Sequence, residues 1–336
     1  MKKTLFGLWA VLCAICVFTA CSDDETSGPG NWQDLSKTYD GRYMQLVLGE
    51  NIVPIYGKSV AVKASSETAA EITLNNVLPE NKALTVNAAL RRGEDAFAFS
   101  GQTSVGAIDF TIQGSIKNGV LSMVTKRNVN LPVVGDWKLK YTKVSANPAA
   151  VIYANVKTGN PQMDLIINSM ASPVVGQLLA KKVDAVHVDF RANGTVGISW
   201  KKVGEEQMTD INKYLEIVNL QYCLIDGACF LVIDKNFIDI ATSLGKEFLA
   251  ENGIQVEELM KLFVDLGGYY GLPLQASLAN GTATFYADKA LILPVISMVM
   301  PLISSRIPAG FEDTIKAILA LLPTSEKLEL GLVFEK

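Results

Sequence analysis

The chain has 336 residues, 49% of them hydrophobic and 19% charged, with a formal net charge of −4. That length exceeds what one hydrophobic core usually serves, so two folded units are expected, and the composition excludes both a disordered chain and a multi-span membrane protein. With Lys2 and Lys3 set aside as part of a leader, 28 basic residues face 34 acidic ones, and without a basic stripe nucleic acid is excluded as a partner.

The leader itself is legible. Met1-Lys2-Lys3 is a short cationic start, and residues 5–20 form an apolar run of signal-peptide length, short of the roughly 20 residues a bilayer span needs. The run ends in Phe18-Thr19-Ala20-Cys21, which resembles a lipobox: small residues before the cut suit the peptidase, and the thiol after it takes a diacylglyceryl group. Phe18 departs from the pattern, where Leu, Val or Ile is usual. Directly after follow Ser22, Asp23, Asp24 and Glu25, similar to the acidic signal that routes Bacteroidetes-type lipoproteins to the exterior face of the outer membrane. The resemblance implies a signal peptide at 1–20, a tether at 21–37 lipidated at Cys21, and a protein held on the outer membrane facing the cell exterior. Thr26-Ser27-Gly28-Pro29-Gly30 has the small, flexible composition of a spacer.

From 38 to 132 short apolar alternations recur between turn residues. Residues 42–48, 58–62, 70–75, 84–90, 96–100, 108–116 and 120–126 are predicted strands, and Asn118-Gly119 between two of them is a strong hairpin signal because both tolerate positive φ. An all-β antiparallel barrel or sandwich is predicted. The stretches Tyr39-Asp40-Gly41-Arg42-Tyr43, Ile72-Thr73-Leu74-Asn75-Asn76-Val77, Phe99-Ser100-Gly101-Gln102-Thr103 and Gly114-Ser115-Ile116-Lys117-Asn118-Gly119-Val120-Leu121 resemble the calycin-like barrel of Bacteroidetes-type lipoproteins. The resemblance implies a calycin-like N-terminal domain; calycins often hold a hydrophobic molecule, but the resemblance names no ligand.

After 133 the grammar changes. Helices are predicted at 162–182, 237–250, 256–266, 290–306 and 311–321, and strands at 136–144, 185–200, 216–233, 272–287 and 326–334, giving an α+β domain over 133–336 with helices packed on an antiparallel sheet. Ala-Asn-Gly-Thr occurs at 192–195 and again at 279–282, which fits either an internal duplication or two uses of a favoured turn. The two-part arrangement is similar to two-domain Bacteroidetes-type lipoproteins of unknown function.

Chemistry-bearing motifs are sparse. The one histidine, His187, lies in an alternating strand with Asp189 and Arg191 on its polar face. A three-residue turn at Ala192-Asn193-Gly194 sets Ser199 opposite His187, so a Ser-His-Asp hydrolase can be drawn, yet an open sheet face supplies neither a buried carboxylate nor an oxyanion hole. A solvated polar face is the plainer reading. No metal set, calcium loop, phosphate cradle or nucleophile elbow is found, so no cofactor and no metal are expected. Cys223 and Cys229 flank Asp226-Gly227; a three-residue loop would set them opposite and allow a disulfide, a two-residue loop would place them on opposite faces and forbid it.

The segment 290–303 is apolar on every side and holds Pro294 and Pro301. Such a helix is buried core, a cavity wall or a membrane contact. With Ile318 and Leu322, residues Leu293, Ile296, Met298, Met300 and Ile303 are candidates for an apolar ligand groove. The expected function is that of a non-enzymatic binding module for a hydrophobic small molecule or lipid, with an adhesion or scaffold module for a glycan or protein partner as the alternative.

Overall fold

The computed structural model describes residues 30–49, 51–212, 219–226, 228–238, 257, 260–304 and 320–336. Strand makes up 56% of the structure and helix 19%, and the chain divides into two compact units between Asn130 and Leu131.

The N-terminal unit contains β1 (Lys37–Asp40), β2 (Met44–Leu48), β3 (Asn51–Val53), β4 (Ser59–Ser66), β5 (Ala69–Asn75), β6 (Ala83–Arg92), β7 (Phe97–Val105), β8 (Ile108–Lys117) and β9 (Val120–Val129). A period of two sets its core. In β6 Leu84, Val86, Ala88 and Leu90 are buried while Ala83, Thr85, Asn87 and Ala89 are exposed, because successive side chains on a strand point to opposite faces. Asn118 and Gly119 both take positive φ and form the two-residue turn that joins β8 to β9 in register Lys117↔Val120.

β4 to β9 form an antiparallel meander. β1 pairs with β4 at one end of it, whereas β2, only three residues further along the chain, pairs with β9 at the other end. A segment this short reaches both ends only if the sheet curls. The expectation for this unit holds in its coarse form, a β-rich and partly barrel-like sheet; it differs in detail, because the nine-stranded sheet has edges at β1 and β3 and its β2–β9 pair is parallel, not antiparallel. The hairpin positions that carried the resemblance fix local turns, which any meander shares; the path of residues 37–48 decides how the sheet is completed. The interior is filled by side chains such as Tyr39, Met44, Ile72, Phe97, Phe110 and Leu121.

The C-terminal unit contains β10 (Gly135–Leu139), β11 (Tyr141–Val144), β12 (Asn147–Ala150), β13 (Ile152–Lys157), β14 (Val183–Phe190), β15 (Val196–Lys202), β16 (Thr209–Asp210), β17 (Gln221–Ile225), β18 (Ala228–Asp234), β19 (Val264–Asp265), β20 (Tyr269–Ala279), β21 (Thr282–Asp288) and β22 (Lys327–Glu335). All but β11 and β12 join one antiparallel sheet, ordered β16-β15-β14-β10-β22-β21-β20-β18-β17, with β13 on β22 and β19 on β20.

Among the described residues two long helical segments accompany it. The first, α1 (Pro161–Ala180), starts at Asn160, whose side chain accepts from the amides of Gln162 and Met163, with Pro161 in the first turn; Ala171–Gly176 within it is π-helical. The second, α2, spans Lys289–Ser304. The α+β expectation is thus overturned: among the described residues the unit is a curled, half-barrel sheet dominated by strands, not several helices layered on a sheet. Residues 264–265, expected within a helix, are a strand paired to β20. The expected helices at 237–250 and 311–321 fall almost wholly outside the described residues.

Candidate functional site

The register of the C-terminal sheet gathers one kind of side chain on one face. Phe190 opposes Val196, Val188 opposes Ile198, and Val186 opposes Trp200; Trp137 opposes Val188 and Leu139 opposes Phe334. The row continues through Phe285↔Leu332 and Ala287↔Leu330, Ala276↔Phe285, Leu274↔Cys229 and Leu272↔Leu231, and Tyr222↔Leu231. The paired positions named above carry no charged side chain, and at the end of β22 Lys336 lays its Nζ over the Trp137 ring, 4.8 Å from the centroid.

It is also the concave face. Phe190 on β14 stacks on Phe285 of β21 at 5.1 Å and meets Tyr222 of β17 edge-on at 5.1 Å, although neither strand is its neighbour in the sheet. Side chains of distant strands touch only where a sheet bends toward them. The Tyr222 hydroxyl donates to the carbonyl of Arg191 at 3.0 Å, and the amides of Val196 and Tyr222 donate to Leu220 and Gly194 at 3.2 and 2.9 Å. The β14–β15 turn is thereby fastened to the far end of the sheet.

At this fastened end the packing is complete: Phe190, Val196, Tyr222, Ala283 and Phe334 are buried. Elsewhere the face is mixed: Trp137, Leu139 and Cys229 are buried, while Ile198, Trp200, Leu231, Leu272, Leu274 and Leu332 are half-buried. Water therefore reaches part of this apolar face, which is costly unless something covers it. α1 and α2 cover one part, where Ile167, Leu293 and Ile296 pack on the buried cluster of Val156, Ile292, Leu322 and Leu328.

Of the candidate groove residues, Leu293, Ile296 and Leu322 thus belong to this packed seam; Leu293 also borders an open surface depression with Pro294 and Leu328. The backbones of Met298, Met300 and Ile303 lie in α2, their side chains and Ile318 lie outside the described residues, and so do Cys21 and Ser22, Asp23, Asp24 and Glu25. The larger apolar surface on β14, β15, β18, β20 and β22 was missed. Its signal was the alternation at 272–278 and 328–334, but alternation says that one face is apolar and not how far that face is covered.

The opposite face is mixed: on β17, β18 and β20 it holds a buried apolar cluster of Cys223, Val232 and Tyr269 with Ile225, Phe230 and Leu266 packed against it, whereas on β13 and β22 it is polar. Tyr153 and Asn155 donate to Glu329 at 2.8 and 2.9 Å, and Lys327 pairs with it at 3.0 Å. Burial alone would raise the Glu329 pKa, but the hydrogen bonds from Tyr153, Lys327 and Asn155 outweigh it and the carboxyl lies below its ordinary range. A lowered folded-state pKa means stability that is present above the unfolded value and lost as pH falls through the folded one. Glu329→Gln is accordingly expected to flatten the acid side of the stability-against-pH curve, read by urea unfolding at a series of pH values.

His187 opposes Ser199 as the turn predicted, yet no triad assembles. Asp189 is held by Arg191 at 2.9 Å, and the carboxylate nearest His187 is Asp136 on the adjacent strand, 3.7 Å from its Nδ1 and half exposed. Among the described residues no hydrogen bond joins His187 to Ser199, and no group of three or more His, Cys, Asp or Glu side chains converges as a metal set.

Cys223 and Cys229 are buried and are not joined by a disulfide. Ile225 pairs with Ala228 across a two-residue turn, so Cys223 opposes Phe230 and Cys229 opposes Leu224; the two thiols point to opposite faces and the disulfide alternative is ruled out in this register. Burial pushes the Cys229 thiol up to about 12, leaving it protonated and inert. Of the tryptophans, Trp137 is buried and Trp32 and Trp200 are half-buried, so they offer no exposed platform for a sugar.

No protein-family model matches the chain, and no curated protein or solved structure is similar to it. The reading of its function rests on this geometry.

Proposed function

We propose that this chain is an envelope lipoprotein, lipidated at Cys21 and displayed on the exterior of the outer membrane, and that it acts as a binding module without enzymatic activity. More particularly, its C-terminal unit receives a hydrophobic small molecule or a lipid acyl chain. One observation carries this reading: the concave face of the sheet is a row of apolar and aromatic side chains that is closed at the Phe190–Tyr222 end and stays half-buried at Ile198, Trp200, Leu231, Leu272, Leu274 and Leu332. A surface of that kind suits a ligand that brings hydrocarbon and no charge into the concavity. The apolar helix segment first considered as a groove contributes its seam with α1 as one wall.

The test is native mass spectrometry of the chain from residue 21 onward, carrying Cys21→Ser and purified gently from an envelope-containing host. The expected result is an added lipid-like mass that leaves on solvent extraction. A clean apo mass with no uptake from added lipid mixtures would end this reading and leave a surface interaction module in its place.

A further inference from the structure

The outer side of α1 is apolar and exposed. Leu165, Val175 and Leu178 are 70%, 53% and 58% exposed, and Ile166, Met170 and Val174 are exposed beside them. Ile166, Met170, Val174 and Leu178 follow each other at four-residue spacing, and the π-helical Ala171–Gly176 widens the turn so that such a row runs straighter along the helix. No charged residue occurs from Leu165 to Ala180, and the exposed pair Lys181 and Lys182 follows directly. We infer that this ridge is a bilayer-contacting surface: α1 lies flat in the boundary between headgroups and acyl chains, with Lys181 and Lys182 among anionic headgroups.

The polar side chains of the helix argue for lipid over a protein partner. Asn168 accepts from and donates to the backbone of Val156 at 2.8 and 3.0 Å. Ser172 does the same with Ile152 at 2.9 and 3.2 Å. Ser169 donates to Ile166 at 3.1 Å and Gln177 to Val144 at 3.4 Å. The helix therefore turns its hydrogen-bonding capacity inward, onto its own backbone, the otherwise open edge of β13 and the end of β11. Protein interfaces carry about one hydrogen bond per 100–200 Å², whereas acyl chains require none.

The same bonds fix the orientation. α1 is long and apolar enough to cross a bilayer by composition, but it is fastened along β13 by Asn168 and Ser172, and Gly176 lies so close to Ala150 that a Cβ there would sit 2.1 Å from its carbonyl oxygen. A helix held to a sheet edge cannot thread a membrane, so it presents one face to it. Lys181 and Lys182 stand at its C-terminal end, where long cationic side chains reach headgroups from an apolar stem.

Flotation of the Cys21→Ser chain with vesicles of phosphatidylcholine, with and without phosphatidylglycerol, tests this. Binding is expected to be stronger on the anionic vesicles. The variant Leu165→Ser/Val175→Ser/Leu178→Ser, whose thermal melt is expected to match the parent because all three side chains are exposed, should lose at least about tenfold in partition. Lys181→Gln/Lys182→Gln should abolish the preference for anionic vesicles while retaining part of the binding. Equal flotation of the triple variant, or absence of flotation together with a concentration-dependent dimer in light scattering, would overturn the inference. Because the ridge lies apart from the concave face, failure here leaves the ligand reading standing, and an apo mass there leaves this one standing.

Discussion

Phe190→Ala is expected to destabilise the C-terminal unit by about 3–5 kcal/mol, the usual cost of removing a buried aromatic ring from a packed core. Phe190 is 2% exposed and touches both Phe285 and Tyr222, so its ring joins strands that the hydrogen-bond ladder does not connect directly. Phe285 meets Phe334 in turn, and the loss would spread along that row. The amides of Val196 and Tyr222, which bond across the fastened end, should exchange with deuterium faster in the variant, well before amides of β21 and β22. Urea unfolding gives the magnitude and hydrogen exchange gives the location. Phe190→Leu keeps most of the volume and should cost less than about 1.5 kcal/mol. If alanine at this position left both measurements unchanged, the aromatic contact would not be what keeps the sheet curled.

The second large effect lies in the N-terminal unit. Arg127 and Glu80 form an ion pair whose side chains are 1% and 5% exposed, and Glu80 Oε2 has no hydrogen-bond partner among the described residues. Removing one partner of a buried pair strands the other charge, so Arg127→Ala should cost about 3–5 kcal/mol. Replacing both by apolar groups of similar size removes the charges together. Arg127→Met/Glu80→Leu is therefore expected to melt close to the parent chain or above it, and a double variant as unstable as the single would show that Arg127 serves the fold through its other contacts instead.

The sequence-level expectations fared differently according to how local they were. The turn at Asn118-Gly119 and the register Phe190↔Val196 follow from residues within a few positions of each other, and the structure shows both. The Cys223–Cys229 hairpin was open between two registers, each with an acceptable apolar face; the structure pairs Ile225 with Ala228, and residues within the hairpin alone did not decide it. The repeated Ala-Asn-Gly-Thr shows the same limit. At 279–282 it makes a two-residue turn, with Ala279 paired to Thr282. At 192–195 the pairing of Arg191 with Thr195 leaves a three-residue loop, because that hairpin is also bonded to the far end of the sheet. Identical tetrapeptides in different conformations speak for a favoured turn sequence and against a structural duplication.

What the sequence by itself determined is the division into two apolar units, the alternation that gives each strand one hydrocarbon face, and the resemblance at Cys21 that suggests an anchor. Those depend on composition and on periods of two or four residues, which are local properties. Only the tertiary structure decided that the C-terminal unit is a curled sheet, that its hydrocarbon face turns inward and is left partly uncovered, and that α1 spends its polar side chains on the edge of β13 and leaves its apolar ridge outside. Curvature and coverage arise from contacts between residues far apart in the chain, such as Phe190 with Tyr222 and Asn168 with Val156, and no periodicity within a strand or helix records them.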